Sequence, residues 1–427
     1  MKTGTVSEAR IDPAVTRDSE LAAALGDYVK RVGSAYVVVP TTASAVQNGL
    51  NLIHAVAQAK DLAPHGQPLS ATNRAAVIVP PGRYDLQASQ IVMDTEFVDL
   101  IGLSTARENQ QIVGDGAADE VTSGLLRQTA NDVRIHNLTV ECTRSGDSIW
   151  SSDEPAAYFP DAGSTATQVR NCGFRGTETG SRSMRMWVDY PGTYVDCVAG
   201  AYSFGYAAKA SGTFTNCSGG FASFGACPFG TANGTFTNCT GGNESFGGHS
   251  GIASGTFINC VGGNYSFAGD DYGTASGVFT DCTGGHYAFA GGSSVGGWAG
   301  GTFTNCTAGS LAFGGGLAVG GTASGSFTDC TGGIYSYAGS QSLGGLASGT
   351  FINCRGGDFS FGSGDLAAGG SLSGLFTHCT GGTGSFGARS GWLAGARLYY
   401  CSGGADSFSL NGATGLRYCL RDGAVYP

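Results

Sequence analysis

A cysteine recurs along the second half of the chain, at Cys172, Cys197, Cys217, Cys239, Cys260, Cys282, Cys306, Cys330, Cys354, Cys379, Cys401 and Cys419, with neighbours 18 to 25 residues apart. A period in this range marks a solenoid, whose coils bury their apolar faces only by stacking on one another. Each cysteine belongs to a repeated phrase, of which "GTFTNCTGGNESFGG" (234–248) is one copy. Three residues before it stands an aromatic (Phe214, Phe236, Phe257, Phe279, Phe303, Phe327, Phe351, Phe376). One residue before it stands Asn216, Asn238, Asn259, Asp281, Asn305, Asp329 or Asn353, with His378 the exception. From Cys197 to Cys401, seven residues after it comes a second aromatic, always preceded by Ser or Ala, and seven before most of them a small residue leads into Gly.

These positions describe one coil. Side chains on a straight strand alternate between faces, so Phe and Cys three apart cannot both point inward. A bend at the Asn repairs the parity. Asn and Asp tolerate the left-handed backbone of such a bend, and stacked Asn amides can hydrogen-bond along the column. Gly-Gly after the cysteine supplies a second corner and Ala-x-Gly a third. Glycine, at 74 residues, is too dense for helix. The fold expected is all-β: a single-stranded parallel β-helix of about 22–25 residues per coil, with Asn, Cys and Phe ladders. The cysteines, among them Cys239, Cys260, Cys282, Cys306, Cys330 and Cys354, read as small buried residues stacked in a column. Coils about 4.8 Å apart permit a disulfide by Cα distance, but parallel side chains disfavour it. Only Cys227 is out of register in the repeats, and the absence of CxxC pairs leaves no zinc pattern. No metal or cofactor is expected.

The first half is less regular. Asp18 to Leu25 reads as a capped helix continued by Tyr28, Val29 and Val32, and a second helix is expected from about Ser44 to Leu62. Ala76–Leu86 reads as strand, Pro-Pro-Gly turn and strand; Val98–Leu103 and Val133–Val140 follow as rungs, with a bend at Asn137. The expected organisation is an attachment arm (1–36), a capping helix with irregular coils (37–200) and regular Gly-rich coils (201–427).

A capping helix followed by "VIVPPGRYDL" (77–86), "VDLIGLS" (98–104) and "VRIHNLTVEC" (133–142) resembles the opening of the pectate-lyase-like β-helices. With "IDPAVTRDSEL" (11–21) before it, the chain is similar over roughly residues 10–200 to bacteriophage tail fibres and tailspikes. That resemblance implies a right-handed helix, a homo-oligomer (trimer or fibre), attachment of the N-terminal arm to other virion components, and a bacterial surface polysaccharide as partner. It also implies a location in the virion or outside the cell. No apolar stretch follows Met1–Thr5, so no Sec-type signal is expected.

Charge narrows the partners. A net charge of −10 disfavours nucleic acid, and no window reaches the roughly 20 apolar residues of a membrane helix. Charged residues are only 13% of the chain, and between Ala201 and Leu410 the only basic ones are Lys209, Arg355, Arg389 and Arg397. A long uncharged face of Thr, Ser, Gly and Tyr suits contact between copies or with carbohydrate.

Glycoside hydrolysis needs two carboxylates, and Asp153, Glu154, Asp161, Glu178, Asp189 and the pair Asp270–Asp271 are the acids to consider. Lyase chemistry would draw on Arg182, Arg185 and Asp189, with Trp187 as a sugar platform. Asp189, Asp270 and Asp271 are the catalytic candidates, set against the ordinary reading of solvated loop acids. Tyr265, Tyr287, Leu311, Tyr335 and Phe359, two before the second aromatic, form a candidate glycan-binding stripe or a subunit contact. The Thr-x-Thr columns (Thr213/Thr215, Thr235/Thr237, Thr302/Thr304) resemble the flat face of ice-binding solenoids, although Ile258, Val278, Ile352 and Leu375 interrupt them. The expected function is a phage-type fibre that engages a cell-surface glycan; the alternatives are a polysaccharide-degrading tailspike and a structural or ice-binding filament.

Overall fold

The computed structural model describes residues 35–116, 124–144, 156–160, 163–177, 182–226, 229–364, 370–387, 392–393, 395–408 and 416–425. These form a parallel β-solenoid. One sheet of 16 strands runs from Tyr36–Val38 to Leu416–Arg417 without a break at residue 200. The other walls change there. Four- and five-stranded sheets end at Arg182–Met184 and Val198–Ala199, and a nine-stranded sheet begins at Lys209–Ala210. Among the named strand pairs only Leu420–Arg421 with Ala424–Val425 is antiparallel.

A single α-helix among the described residues, α1 (Ala45–Lys60), lies at the N-terminal end. Ser44 caps it, its hydroxyl accepting the Gln47 N–H at 3.3 Å, and Leu52, Ala55, Val56 and Ala59 are buried. The helix expected over Asp18–Val32 lies outside the described residues. The rungs at Ala75–Val79, Gly82–Asp85, Val98–Gly102 and Arg134–His136 lie where the sequence places them, and Asn137 bends with φ 58°.

The predicted bend before each cysteine is real. Asn216, Asn238, Asn259, Asp281, Asn305, Asp329, Asn353 and His378 all have φ between 52° and 55°. The amide ladder follows: Asn216 donates to Asp196 (2.9 Å), Asn238 to Asn216 (3.0 Å) and Asn259 to Asn238 (2.9 Å). Asn305 donates to Asp281 at 2.7 Å and Asn353 to Asp329 at 2.5 Å.

Inside, two phenyl columns fill the core. Phe214, Phe236, Phe257, Phe279 and Phe303 stack with centroids 4.8–5.0 Å apart and planes within 3°. Phe224, Phe246, Phe267 and Phe289 make the second column, which meets the first edge to face, as Phe257 meets Phe267 at 89°. The thirteen described cysteines are free and buried. Each repeat thiol sits beside two carbonyls: Cys239 Sγ lies 3.4 Å from the Thr237 oxygen and 3.4 Å from the Phe214 oxygen one coil below. Burial pushes the Cys172 and Cys217 thiols well above the usual range.

Glycine is obligatory where coils touch. A Cβ on Gly255, Gly277, Gly301 or Gly325 would collide with the carbonyl oxygen of the equivalent glycine one coil below. A Cβ on Gly241 or Gly262 would strike the buried Ser245 or Ser266, which explains why only Ser or Ala precedes the second aromatic.

Candidate functional site

The repeats lengthen after Cys282, from 20–22 residues between successive cysteines over Cys197–Cys282 to 24. Cys260 and Cys282 are 22 residues apart, Cys282 and Cys306 are 24, and the added residues pair in new columns starting at Gly292 and Val295. The first wide coil therefore projects the Ser293–Val295 backbone beyond the coil below. Asp271 meets that ledge: one carboxylate oxygen accepts the N–H groups of Ser294 (2.7 Å) and Val295 (2.9 Å). Through that oxygen Asp271 holds the step.

Asp270, at φ 73°, turns the other way. Its Oδ1 accepts the Ser293 hydroxyl at 2.9 Å, and its Oδ2 lies 3.1 Å from His249 Nδ1. The Asp270 side chain is 17% exposed and that of His249 44%. Equivalent positions explain the meeting, because His249 is ten residues past Cys239 and Asp270 ten past Cys260. A carboxylate on Nδ1 fixes the orientation of the imidazole ring. Glu244 completes the group. It is the copy of the stripe position one coil below Tyr265, and burial holds its carboxyl above the usual range, with His249 opposing and Asp270 adding to the effect. The Tyr265 hydroxyl is pushed up as well, by burial first and then by Tyr287, Asp270 and Glu244. Tyr272, 72% exposed, stands beside the ledge. The arrangement joins a protonatable acid, an oriented imidazole and hydroxyl donors on adjacent coils. That set can hold a polyhydroxylated ligand and move a proton to or from it.

Glu244 and His249 escaped the sequence reading. Both are visible once the repeats are aligned beyond the phenyl positions, since Glu244 stands where most repeats carry an aromatic or Leu and His249 falls in register with Asp270.

The aromatic stripe is present but edge-on. Tyr265 and Tyr287 stack on each other at 4.7 Å with planes 3° apart, Leu311 is buried, and Tyr335 stacks on Phe359 at 5.6 Å and 19°. Rings piled along the solenoid axis cover one another's faces, so solvent meets their edges. Asp189 accepts the Lys209 backbone N–H at 3.0 Å, while the Arg185 guanidinium lies over Phe159 at 5.0 Å. Trp187 is 46% exposed. The side chain of Arg182 and all of Asp153, Glu154, Asp161 and Glu178 lie outside the described residues.

No family model and no curated protein matches the chain. Among solved structures it is similar to a rice weevil pectin methyl esterase (11% identity, TM-score 0.32, covering 64% of this chain and 85% of that one). It is also similar to ORF18 of Geobacillus virus E2 (10%, 0.26, covering 95% and 65%). A third is the A-module of the Azotobacter vinelandii mannuronan C-5 epimerase AlgE6 (11%, 0.24, covering 91% and 97%). At these scores the likenesses carry no functional argument, and the reading below rests on this chain's own geometry. Among the described residues, no helix is long and apolar enough to cross a membrane.

Proposed function

We propose that the protein is a phage-type fibre solenoid that engages a cell-surface glycan at the ledge formed by Glu244, His249, Asp270 and Tyr265. One observation carries this reading. Glu244, His249, Asp270 and Asp271 gather where the coils lengthen from 22 to 24 residues, and Asp270 ties its own coil to the one below through His249 and to the one above through Ser293. Carboxylate, imidazole and phenol groups match the hydroxyls of a polysaccharide, and the acids Glu244, Asp270 and Asp271, with no lysine or arginine among them, disfavour an anionic polymer. The surrounding Thr face, broken by the exposed Ile258, Val278, Ile352 and Leu375, suits contact between copies in a trimer or fibre rather than an unbroken ice-binding plane.

The test is gel filtration of bacterial surface polysaccharides after incubation with the protein. Retention that His249→Ala or Asp270→Asn weakens at least tenfold supports the reading; retention indifferent to both variants removes the ledge from it. The raised acid at Glu244 favours a second reading, hydrolysis of the bound polymer. In that case the polymer shortens, the rate falls as pH rises through the Glu244 titration, and Glu244→Gln abolishes the shortening without abolishing retention.

A further inference from the structure

The Ser–Gly corner of the regular coils forms a groove along the solenoid. Its floor is the glycine column of Gly212, Gly234, Gly255, Gly277, Gly301 and Gly325, each buried or half-buried, and its near wall is a column of corner residues. In eight successive repeats that corner residue is Ser211, Asn233, Ser254, Ser276, Gly300, Ser324, Ser348 and Ser373. Only one departs from a small polar side chain. The same repeat carries Trp298 two positions earlier, where the other seven have Lys209, Thr231, Ile252, Thr274, Thr322, Leu346 and Ser371; a tryptophan returns there in the ninth strand of the sheet, at Trp392, whose side chain lies outside the described residues.

The two departures are one feature. A Cβ on Gly300 would collide with the Trp298 indole, so the ring lies directly on the Gly300 backbone. Its Nε1–H donates to Ser324 Oγ, one coil further on, at 2.7 Å. The indole is thereby anchored across the corner at one face and at its nitrogen, and the side chain remains 46% exposed. The Tyr265 and Tyr287 rings cover each other, whereas Trp298 has no aromatic neighbour stacked on its outer face among the ring contacts of the described residues. Two repeats further along the same corner lies a shallow, open depression of about 350 Å³ lined by Ser348, Gly349, Thr350, Ser373, Leu375 and Arg397.

We infer that this groove is a second carbohydrate subsite, in which Trp298 is the stacking platform for one sugar ring of a linear, mostly uncharged polysaccharide. Serine hydroxyls and exposed corner backbone receive its hydroxyls on either side. The chemistry favours this occupant. A rigid aromatic with one free face contributes dispersion contact with the C–H face of a pyranose, and the residues around the ring, Thr274, Thr322 and Ser324, are polar and uncharged. An interface between copies would want apolar neighbours on both sides of the ring, but Thr274 and Thr322 flank it in its own column. The inference rests on the glycan-engaging reading above while naming a different surface for it.

The experiment is affinity electrophoresis of the full chain through native gels containing a neutral O-antigen polysaccharide, a soluble β-glucan or a mannan, with tryptophan fluorescence in solution. For a polymer that retards the wild type, Trp298→Ala should weaken retardation at least tenfold and Trp298→Phe by less. Gly300→Ser, which displaces the indole, should resemble Trp298→Ala, and the fluorescence response should vanish in Trp298→Phe. Circular dichroism confirms that each variant keeps the fold; the Trp298→Phe fluorescence difference remains decisive if Gly300→Ser does not. Retardation of Trp298→Ala equal to wild type, with His249→Ala weakened, overturns the groove and leaves the ledge standing. A change in oligomeric mass in Trp298→Ala assigns the ring to a subunit contact and also overturns the inference. No retardation of the wild type by any of the three polymers overturns the groove proposal and removes support from the glycan reading itself.

Discussion

The irregular coils before residue 200 and the repeat coils after it share one continuous sheet but are held together differently. In the early coils, long-range polar pairs are specific to their place. Arg74 clamps Asp99 through two nitrogens at 2.6 and 2.9 Å and reaches Asp132 at 2.8 Å, with all three side chains largely buried. Asp99 also accepts the Arg134 backbone N–H at 2.9 Å, and the Tyr158 hydroxyl donates to Gln128 at 2.6 Å. In the repeats, stability is a sum of identical neighbour contacts: ring on ring, amide on amide, glycine on glycine. The first design concentrates stability in a few residues, and the second distributes it so that most single coils are expendable.

The largest expected effect tests that difference. Asp99→Ala should destabilise the N-terminal coils by about 3 kcal/mol, because it leaves the buried Arg74 guanidinium with Asp132 alone and orphans the Arg134 N–H. Asn305→Ala, which removes one rung from a repeated ladder, should cost about 1 kcal/mol. Urea denaturation followed by circular dichroism measures both. Equal losses would mean that the early coils are as redundant as the late ones.

Next in size is the glycine column. Gly301→Ala should cost about 1–3 kcal/mol or more, since its Cβ meets the Gly277 carbonyl oxygen, a backbone atom that cannot step aside without moving a coil. Ser276→Ala, at the half-exposed neighbouring corner, should change the denaturation midpoint very little. A tolerated Gly301→Ala would show that the coils can slide apart, and the picture of a rigid repeat would fail.

How much of this could be read beforehand follows from the same contrast. The bend before each cysteine, the two phenyl columns and the Ser-or-Ala rule were legible because each rung repeats the constraint, and parity arguments at Phe236, Asn238 and Cys239 apply unchanged at Phe303, Asn305 and Cys306. The Arg74–Asp99–Asp132 clamp was not legible, because its partners lie up to 58 residues apart and occur once. The ledge was half legible. Asp270 and Asp271 stood out as an acidic pair, but their separate duties depend on a two-residue change in coil length, which shows only when the repeats are compared as lengths. Ring orientation at Tyr265 and Tyr287 was also hidden, since sequence places residues in a column without saying whether faces or edges meet the solvent.

Within the repeats, imperfections should be correctable. The Tyr337 ring continues the second phenyl column, 4.9 Å from Phe313 and 4.7 Å from Phe361, but its hydroxyl is buried without a hydrogen-bond partner. Tyr337→Phe keeps the stack and removes the orphaned group, so it should stabilise by about 1 kcal/mol, read as a rise in the thermal midpoint. No gain would mean that the hydroxyl is satisfied by water in solution.

The smallest effect concerns the amide ladder, and it has a direction. Each Asn donates its Nδ2 to the residue one coil below, so Asn259, Asn238 and Asn216 form an unbroken run down to Asp196. Asp281 ends that run, because an ionised carboxylate accepts from Asn305 above it but has no proton to give to Asn259 below. The same fault recurs at Asp329, which accepts from Asn353 and offers nothing to Asn305. Two acceptor groups therefore face one another at each step, open to water. Asp281→Asn and Asp329→Asn should close both gaps and raise stability by about 0.5–1 kcal/mol each, the lower figure because the column is exposed. The double variant should show the sum, since the two faults are separated by an intact rung. Destabilisation by either change would mean that the carboxylates are held by something other than the ladder, and these two coils would then join the Arg74 clamp as places where the repeat gives way to a specific contact.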